Sequence, residues 1–191
     1  MDEAVESDSR SDGVAEVVFS AGEIARRIAE LGREIDAFYS GCPDSEEVVL
    51  IGVLKGTFIF VADLVRAIRR PVRVDFLIAS SYGSGTASSG EVRLLYDPAT
   101  SLDGKHVLLV EDIVDSGTTI NRIVPHLLER GARSLELCAL LHKRLASKLV
   151  LEPRWVGFDT PDAFVVGFGL DWNENYRQLP FIGSIPPPAG G

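Results

Sequence analysis

Apolar positions recur along this chain with two different periods, and each period predicts a different element. Over 19–39 they fall at Ile24, Ile28, Leu31, Ile35 and Phe38 with charged residues between them, the spacing of one helical face. The same spacing at Phe58, Val61, Leu64, Val65 and Ile68 predicts a second helix over 58–68. Residues 48–54 form a continuous apolar run instead, as expected of a strand buried on both faces. Val72, Val74, Phe76 and Ile78 alternate with Arg73, Asp75 and Leu77, which predicts another strand. Residues 92–96, 107–110 and 135–141 are also strand-like, and Asp103-Gly104 is a turn signal between the first two. A third helix is expected over 118–130, closed by Gly131, with a kink or late start caused by Pro125. Residues 80–90 are mainly Gly, Ser and Thr. Such a stretch buries too little to offset its ordering entropy and reads as a mobile loop. Strands alternating with helices predict an α/β fold, a mostly parallel twisted sheet flanked by helices.

Composition narrows the possibilities without changing that picture. A chain of 191 residues with 46% hydrophobic and 25% charged residues suits one globular domain, expected over 14–185. Nothing approaches an apolar run of about 18 residues, so no membrane partner is expected. Residues 1–13 are acidic and Ser-rich, without the basic start and apolar stretch of a signal peptide. They read as a flexible tail, and so does the Pro- and Gly-rich 186–191. Cys42 and Cys138 show neither CxxC nor metal-ligand spacing, which predicts free thiols in a reducing cytoplasm. A net charge of −9 argues against a nucleic-acid partner. A polyanionic substrate would have to be held by backbone amides, a few placed cations and metal ions.

The chemistry concentrates in 107–119. An apolar strand ends in Glu111-Asp112, and Asp115-Ser116-Gly117 then opens a helix at Thr118-Thr119. A helix N-terminus after such a turn presents free N–H groups and favours an anion. Hydroxyls of Ser116, Thr118 and Thr119 add donors for a phosphate. The paired acids can accept from sugar hydroxyls or bind them through a metal. The plainer alternative is that Asp115-Ser116 caps the helix and the acids are solvated. No Walker A loop occurs, and Gly83-Ser84-Gly85 does not open a helix as a dinucleotide fingerprint must.

The segment from Glu111 to Thr119 resembles the 5-phosphoribosyl-1-pyrophosphate (PRPP) motif of type I phosphoribosyltransferases. Val53-Leu54-Lys55-Gly56 resembles the pyrophosphate loop of the hypoxanthine-guanine members. Ser80-Ser81-Tyr82 resembles their closing loop, and 165–174 with 176–180 resembles their C-terminal purine hood. The resemblance spans about 19–185, with the motifs in the family's order. It implies the type I fold with a small hood built from terminal segments, partly from about 150–185.

The resemblance also implies site roles. Asp115 would manage the proton of purine N7 as the catalytic acid/base. Glu111 and Asp112 would hold the ribose hydroxyls, directly or through Mg²⁺. Residues 115–119 would cradle the 5′-phosphate, while Lys55, Gly56 and Arg177 would meet pyrophosphate. Lys143 would donate to the 6-oxo group of hypoxanthine or guanine, Phe164 would stack on the base and Val165 would offer backbone groups. Asp171 would bind a second Mg²⁺, and Ser81 and Tyr82 would close over PRPP. Leu54-Lys55 is a candidate cis peptide, and a homo-oligomer, dimer or tetramer, is implied. Lys143 could instead be a surface lysine, and Arg177 an ion-pair partner of Asp171 or Glu174. Pro125 and Ala163, the latter standing where relatives often carry lysine, depart from the family pattern. Rival readings are transfer to another base, such as xanthine or a pyrimidine, and a PRPP-sensing regulator on the same fold.

Overall fold

Ser20 and Glu23 decide where the first helix begins. In the computed structural model, which describes residues 13–43, 46–81, 92–144, 148–160 and 162–186, Glu23 N–H donates to Ser20 Oγ at 3.4 Å. The Glu23 carboxylate accepts from Ser20 N–H at 2.9 Å, completing a capping box. Phe19 is thereby excluded from the helix and ends a strand, β1 (Glu16–Phe19), before α1 (Ala21–Tyr39). There follow β2 (Val48–Leu54), α2 (Phe58–Ala67), β3 (Arg73–Ser81), β4 (Val92–Tyr96) and β5 (His106–Val114). The chain then forms α3 (Thr118–Glu129), β6 (Ser134–His142), β7 (Trp155–Asp159), β8 (Phe164–Val166) and β9 (Ile182–Ile185).

The continuous apolar runs are explained by what covers them. Leu50, Leu108, Val110, Cys138 and Leu140 pack with Ile24, Ile28, Leu31 and Ile35 of α1 and Phe60 and Leu64 of α2. Their neighbours Val49, Ile51, Val107, Leu109, Leu137 and Ala139 face the other way, onto Ile120, Ile123, Val124 and Leu127 of α3. A sheet covered on both faces cannot show polar alternation in its central strands.

Strand order in this sheet is β4-β3-β2-β5-β6-β7, parallel except for the β3–β4 pair. From β2 the chain crosses through α2 to β3 on one side, and from β5 through α3 to β6 on the other. The direction of winding therefore reverses between β2 and β5. At such a switch point the loops leaving the strands' carboxyl ends diverge and leave a crevice for a ligand.

Several expectations are corrected. Asp103-Gly104 does form a turn, with Lys105 N–H donating to Leu102 O at 3.0 Å and Gly104 at φ 68°, but β4 pairs with β3 at the sheet edge and not with β5. β3 continues through Ser80 and Ser81, which the composition assigns to a loop, because Arg93 and Val92 of β4 pair with them. α3 starts at Thr118 and runs unbroken past Pro125. The proline ring lies well beyond the first turn and is exposed. Gly131 takes φ +86° just after the C-cap residue Arg130. Residues 155–159 join the main sheet as β7, whereas a separate sheet, β1-β9-β8, joins the two ends of the chain. That sheet is the hood.

Both cysteines are free thiols. No described helix is long and apolar enough to cross a membrane. Of the expected tails 1–13 and 186–191 and the expected loop 80–90, residues 1–12, 187–191 and 82–90 lie outside the described residues, as does Glu91.

Candidate active site

The crevice opens where one strand loses a neighbour. The β2–β5 ladder ends at Gly52↔Val110, while the β5–β6 ladder continues to Val114↔His142. Glu111 and Asp112 therefore sit within β5, not beyond its end, on the stretch whose β2 flank has come free. Glu111 is 7% exposed, and its Oε2 has no hydrogen-bond partner among the described residues. Burial first, and Asp112 beside it second, push the Glu111 carboxyl well above the usual carboxylate range. Burial also raises Asp112, against the Ile113 N–H that donates to it at 2.8 Å. Two adjacent acids so placed gain from a cation or from hydroxyl donors.

The opposite wall is the loop after β2, where the candidate peptide Leu54-Lys55 is cis. A Cβ on Gly56 would lie 1.5 Å from Asp112 Oδ2, so only glycine lets this backbone approach the acid. Gly169 of the hood, at φ +101°, would put its Cβ 2.1 Å from the Gly56 carbonyl oxygen. The loop after β2 thus meets the Asp112 carboxylate on one side and the hood backbone on the other. The loop after β2, β5 and the start of α3 line a cleft of about 190 Å³ with Lys55, Gly56, Glu111, Asp112 and Thr119 among its walls.

Next to it a hollow of about 210 Å³ is lined by Asp115, Ser116, Gly117, Thr118 and Thr119. The N-cap of α3 is Gly117 at φ 82°, and no side chain caps the helix. The capping alternative for Asp115-Ser116 therefore fails, because Ser116 Oγ lies on Thr118 Oγ1 at 3.0 Å instead. First-turn N–H groups remain for an anion.

Lys143 follows β6, and its N–H donates to Val114 O at 3.0 Å. Its ammonium donates to Asp115 Oδ2 at 2.9 Å, and its side chain is only 11% exposed, which removes the surface-lysine alternative. Phe164 stands at the start of β8, 39% exposed, edge-on to Trp172 with ring centroids 4.9 Å apart. Val165 is buried in β8.

Arg177 takes the second of its two sequence readings here. Its guanidinium pairs with Asp171 at 2.8 Å and Glu174 at 3.3 Å and donates to Gly169 O at 2.8 Å. Glu174 also holds Lys55 at 3.0 Å. Lys55 first and Arg177 second depress the Glu174 carboxyl. Sequence reasoning gave Glu174 no role in the site, although it lies three residues from both Asp171 and Arg177. Ser81 ends β3, and Tyr82 lies outside the described residues.

Residues 18–173 match the family described as the phosphoribosyl transferase domain. The hypoxanthine-guanine phosphoribosyltransferase of Dictyostelium discoideum is 45% identical over 173 residues, covering 89% of this chain and 94% of the relative. That of Mycobacterium avium is 47% identical over 176 residues, covering 91% and 87%. Among solved structures, a hypoxanthine phosphoribosyltransferase from Staphylococcus aureus superposes with a TM-score of 0.86 at 38% identity, covering 95% of this chain and 96% of the other. A variant from Trypanosoma cruzi, solved as a ternary substrates complex, gives a TM-score of 0.83 at 40% identity over 92% and 97% of the two chains. Similarity of this degree over nearly the full length of each partner means that the chain belongs to the phosphoribosyl transferase domain family.

Proposed function

We propose that this protein transfers the 5-phosphoribosyl group of PRPP to N9 of hypoxanthine or guanine, giving IMP or GMP and pyrophosphate in purine salvage. One observation carries the reading: the buried Glu111 and its partly buried neighbour Asp112 stand directly beside a helix N-terminus that no side chain caps. That sets donors suited to a phosphate next to acceptors suited to sugar hydroxyls. The names of the relatives support 6-oxopurines as the acceptors.

In this reading the N–H groups and hydroxyls of 115–119 hold the 5′-phosphate, while Glu111 and Asp112 hold the ribose. Lys55, Gly56 and Arg177 bind pyrophosphate, so Glu174 must yield its two cations when that ligand arrives. Phe164 stacks on the purine, Val165 lines its edge and Asp115 handles the N7 proton. Lys143 has three N–H donors, so it can keep Asp115 and still donate to a 6-oxo group. Ser81 and Tyr82 close over the site and exclude water, which competes for an oxocarbenium-like sugar. The unpartnered Glu111 oxygen and the hard carboxylate set fit Mg²⁺ at Glu111 and Asp112, with a second ion at Asp171. Bound there, Mg²⁺ supplies neutralisation of the departing pyrophosphate. The reading includes a cytoplasmic homo-oligomer acting on small molecules, with no nucleic-acid or membrane partner.

Steady-state kinetics with hypoxanthine, guanine and xanthine at saturating PRPP and Mg²⁺ test the proposal. Turnover of hypoxanthine or guanine is expected, and failure of both would overturn it. Lys143→Ala should raise KM for the purine by roughly 10–100-fold, the equivalent of a charge-assisted hydrogen bond worth about 1.5–3 kcal/mol. KM for PRPP should change far less. Equal changes in both constants would make Lys143 a support for the phosphate turn instead. Asp171→Asn should increase the Mg²⁺ concentration giving half-maximal activity, since a hard cation prefers charged oxygens. Unchanged Mg²⁺ dependence would leave Asp171 only its pairing with Arg177.

A further inference from the structure

At the far end of β5 a second group of donors converges. His106 and Val114 open and close this strand, eight residues apart, or roughly 26 Å at ~3.3 Å per residue. Around His106, the Sγ of Cys42, a carboxylate oxygen of Glu46 and a ring nitrogen of His106 all lie within 4.8 Å of one another. Among the described residues this is the one group of three such donors so close together. Cys42 and Glu46 come from the connection between α1 and β2, while His106 comes from the sheet.

We infer that Cys42, Glu46 and His106 form a binding site for a borderline-soft divalent transition cation of the Zn²⁺ type. The donor set decides the class. A thiolate and an imidazole favour zinc-like ions over Mg²⁺ or Ca²⁺, which take oxygen ligands. Ligand bonds of about 2.0–2.3 Å bring tetrahedral donors to well under 4.8 Å from one another, so only small side-chain movements are required.

The surroundings already orient the ligands as metal sites require. His106 Nδ1 lies 2.7 Å from Ser134 Oγ, which can accept its proton and leave the Nε2 lone pair facing the other donors. Nε2 lies 2.9 Å from Glu46 Oε2. With Nδ1 protonated, two acceptors would face each other at that distance, and a cation between them satisfies both. Arg133 holds the other carboxylate oxygen, Oε1, at 2.6 Å and leaves Oε2 for the ion. Cys42 is fixed by its own N–H on Tyr39 O at 3.0 Å, and Glu46 by its N–H on Pro43 O at 2.9 Å. The fully buried Tyr39 ring lies against His106, with centroids 6.0 Å apart. On binding, the ion replaces the Cys42 thiol proton, which passes to solvent, while the imidazole keeps its one proton on Nδ1 toward Ser134 Oγ. Three protein ligands leave one position for water.

Cobalt is the suitable probe, because Co²⁺ takes the place of Zn²⁺ and shows a near-ultraviolet charge-transfer band only when a thiolate is bound. Cys138 is fully buried, so Cys42 is the thiol such a band would report. Full-length protein stripped of metal should take up Co²⁺ with this band at one equivalent, and Zn²⁺ should bleach it. Asp112→Asn, in the distant crevice, should keep the band. Cys42→Ser should abolish it, and His106→Gln should weaken Co²⁺ binding at least tenfold. Cys42 is only partly buried, so its serine variant tests the site even if the histidine variant fails to fold. Absence of the band in the parent protein, or its survival in Cys42→Ser, would overturn the assignment.

Discussion

Asp115→Asn should lower kcat by about 10²–10⁴-fold, the usual contribution of one general acid/base, while PRPP still binds. The geometry separates the two effects. The turn before α3 does not depend on the Asp115 side chain, because Gly117 is the N-cap and no side chain caps α3. Asparagine keeps an oxygen that can accept from Lys143, now 2.9 Å from Asp115 Oδ2. It cannot take up or return a proton. Pre-steady-state measurement of PRPP binding beside turnover would show the split. Near-normal kcat would remove Asp115 from proton handling, and equal loss of binding would make it part of the phosphate cradle.

Gly169→Ala should cost about 3 kcal/mol of stability and most of the activity. Two penalties coincide at this position. An L-residue at φ +101° is strained whatever the available space. The added Cβ would also stand 2.1 Å from the Gly56 carbonyl oxygen, a backbone atom that cannot rotate away. Relief requires the hood to lift from the loop after β2, which would move Lys55 and Gly56 relative to Asp171 and Arg177. Urea unfolding followed alongside KM for PRPP would check both parts. A variant with parental stability and KM would show that the hood does not need this contact.

Arg177 illustrates how local reasoning and tertiary contact divide the work. Its sequence neighbourhood suggests two roles, pyrophosphate contact or pairing with a nearby acid, and no residue pattern separates them. In the folded chain it pairs with Asp171 and Glu174 while Glu174 also binds Lys55, which is 119 residues distant from it. The free site thus holds its own cations on its own carboxylates. Such pairs, partly open to water, are individually weak, and a polyphosphate can displace them.

The sequence by itself determined the elements and the chemistry that depends on short-range order. Helix periodicity, the continuous runs of the central strands and the acid-acid-turn-helix succession at 111–119 are all written within a few residues of one another. Each reports a local constraint: one helical face, two covered sheet faces, free amides at a helix start. Even the missed start of α1 was present locally, in Ser20 and Glu23. Only the tertiary structure decided which segments meet. It placed β4 beside β3 rather than β5, joined β1 to β9 across the whole chain and brought Gly169 onto Gly56. It also gathered Cys42, Glu46 and His106 at the opposite end of the sheet. These contacts join residues distant in sequence, and they follow from strand order, register and the reversal of winding between β2 and β5, none of which leaves a periodic trace in the residues themselves.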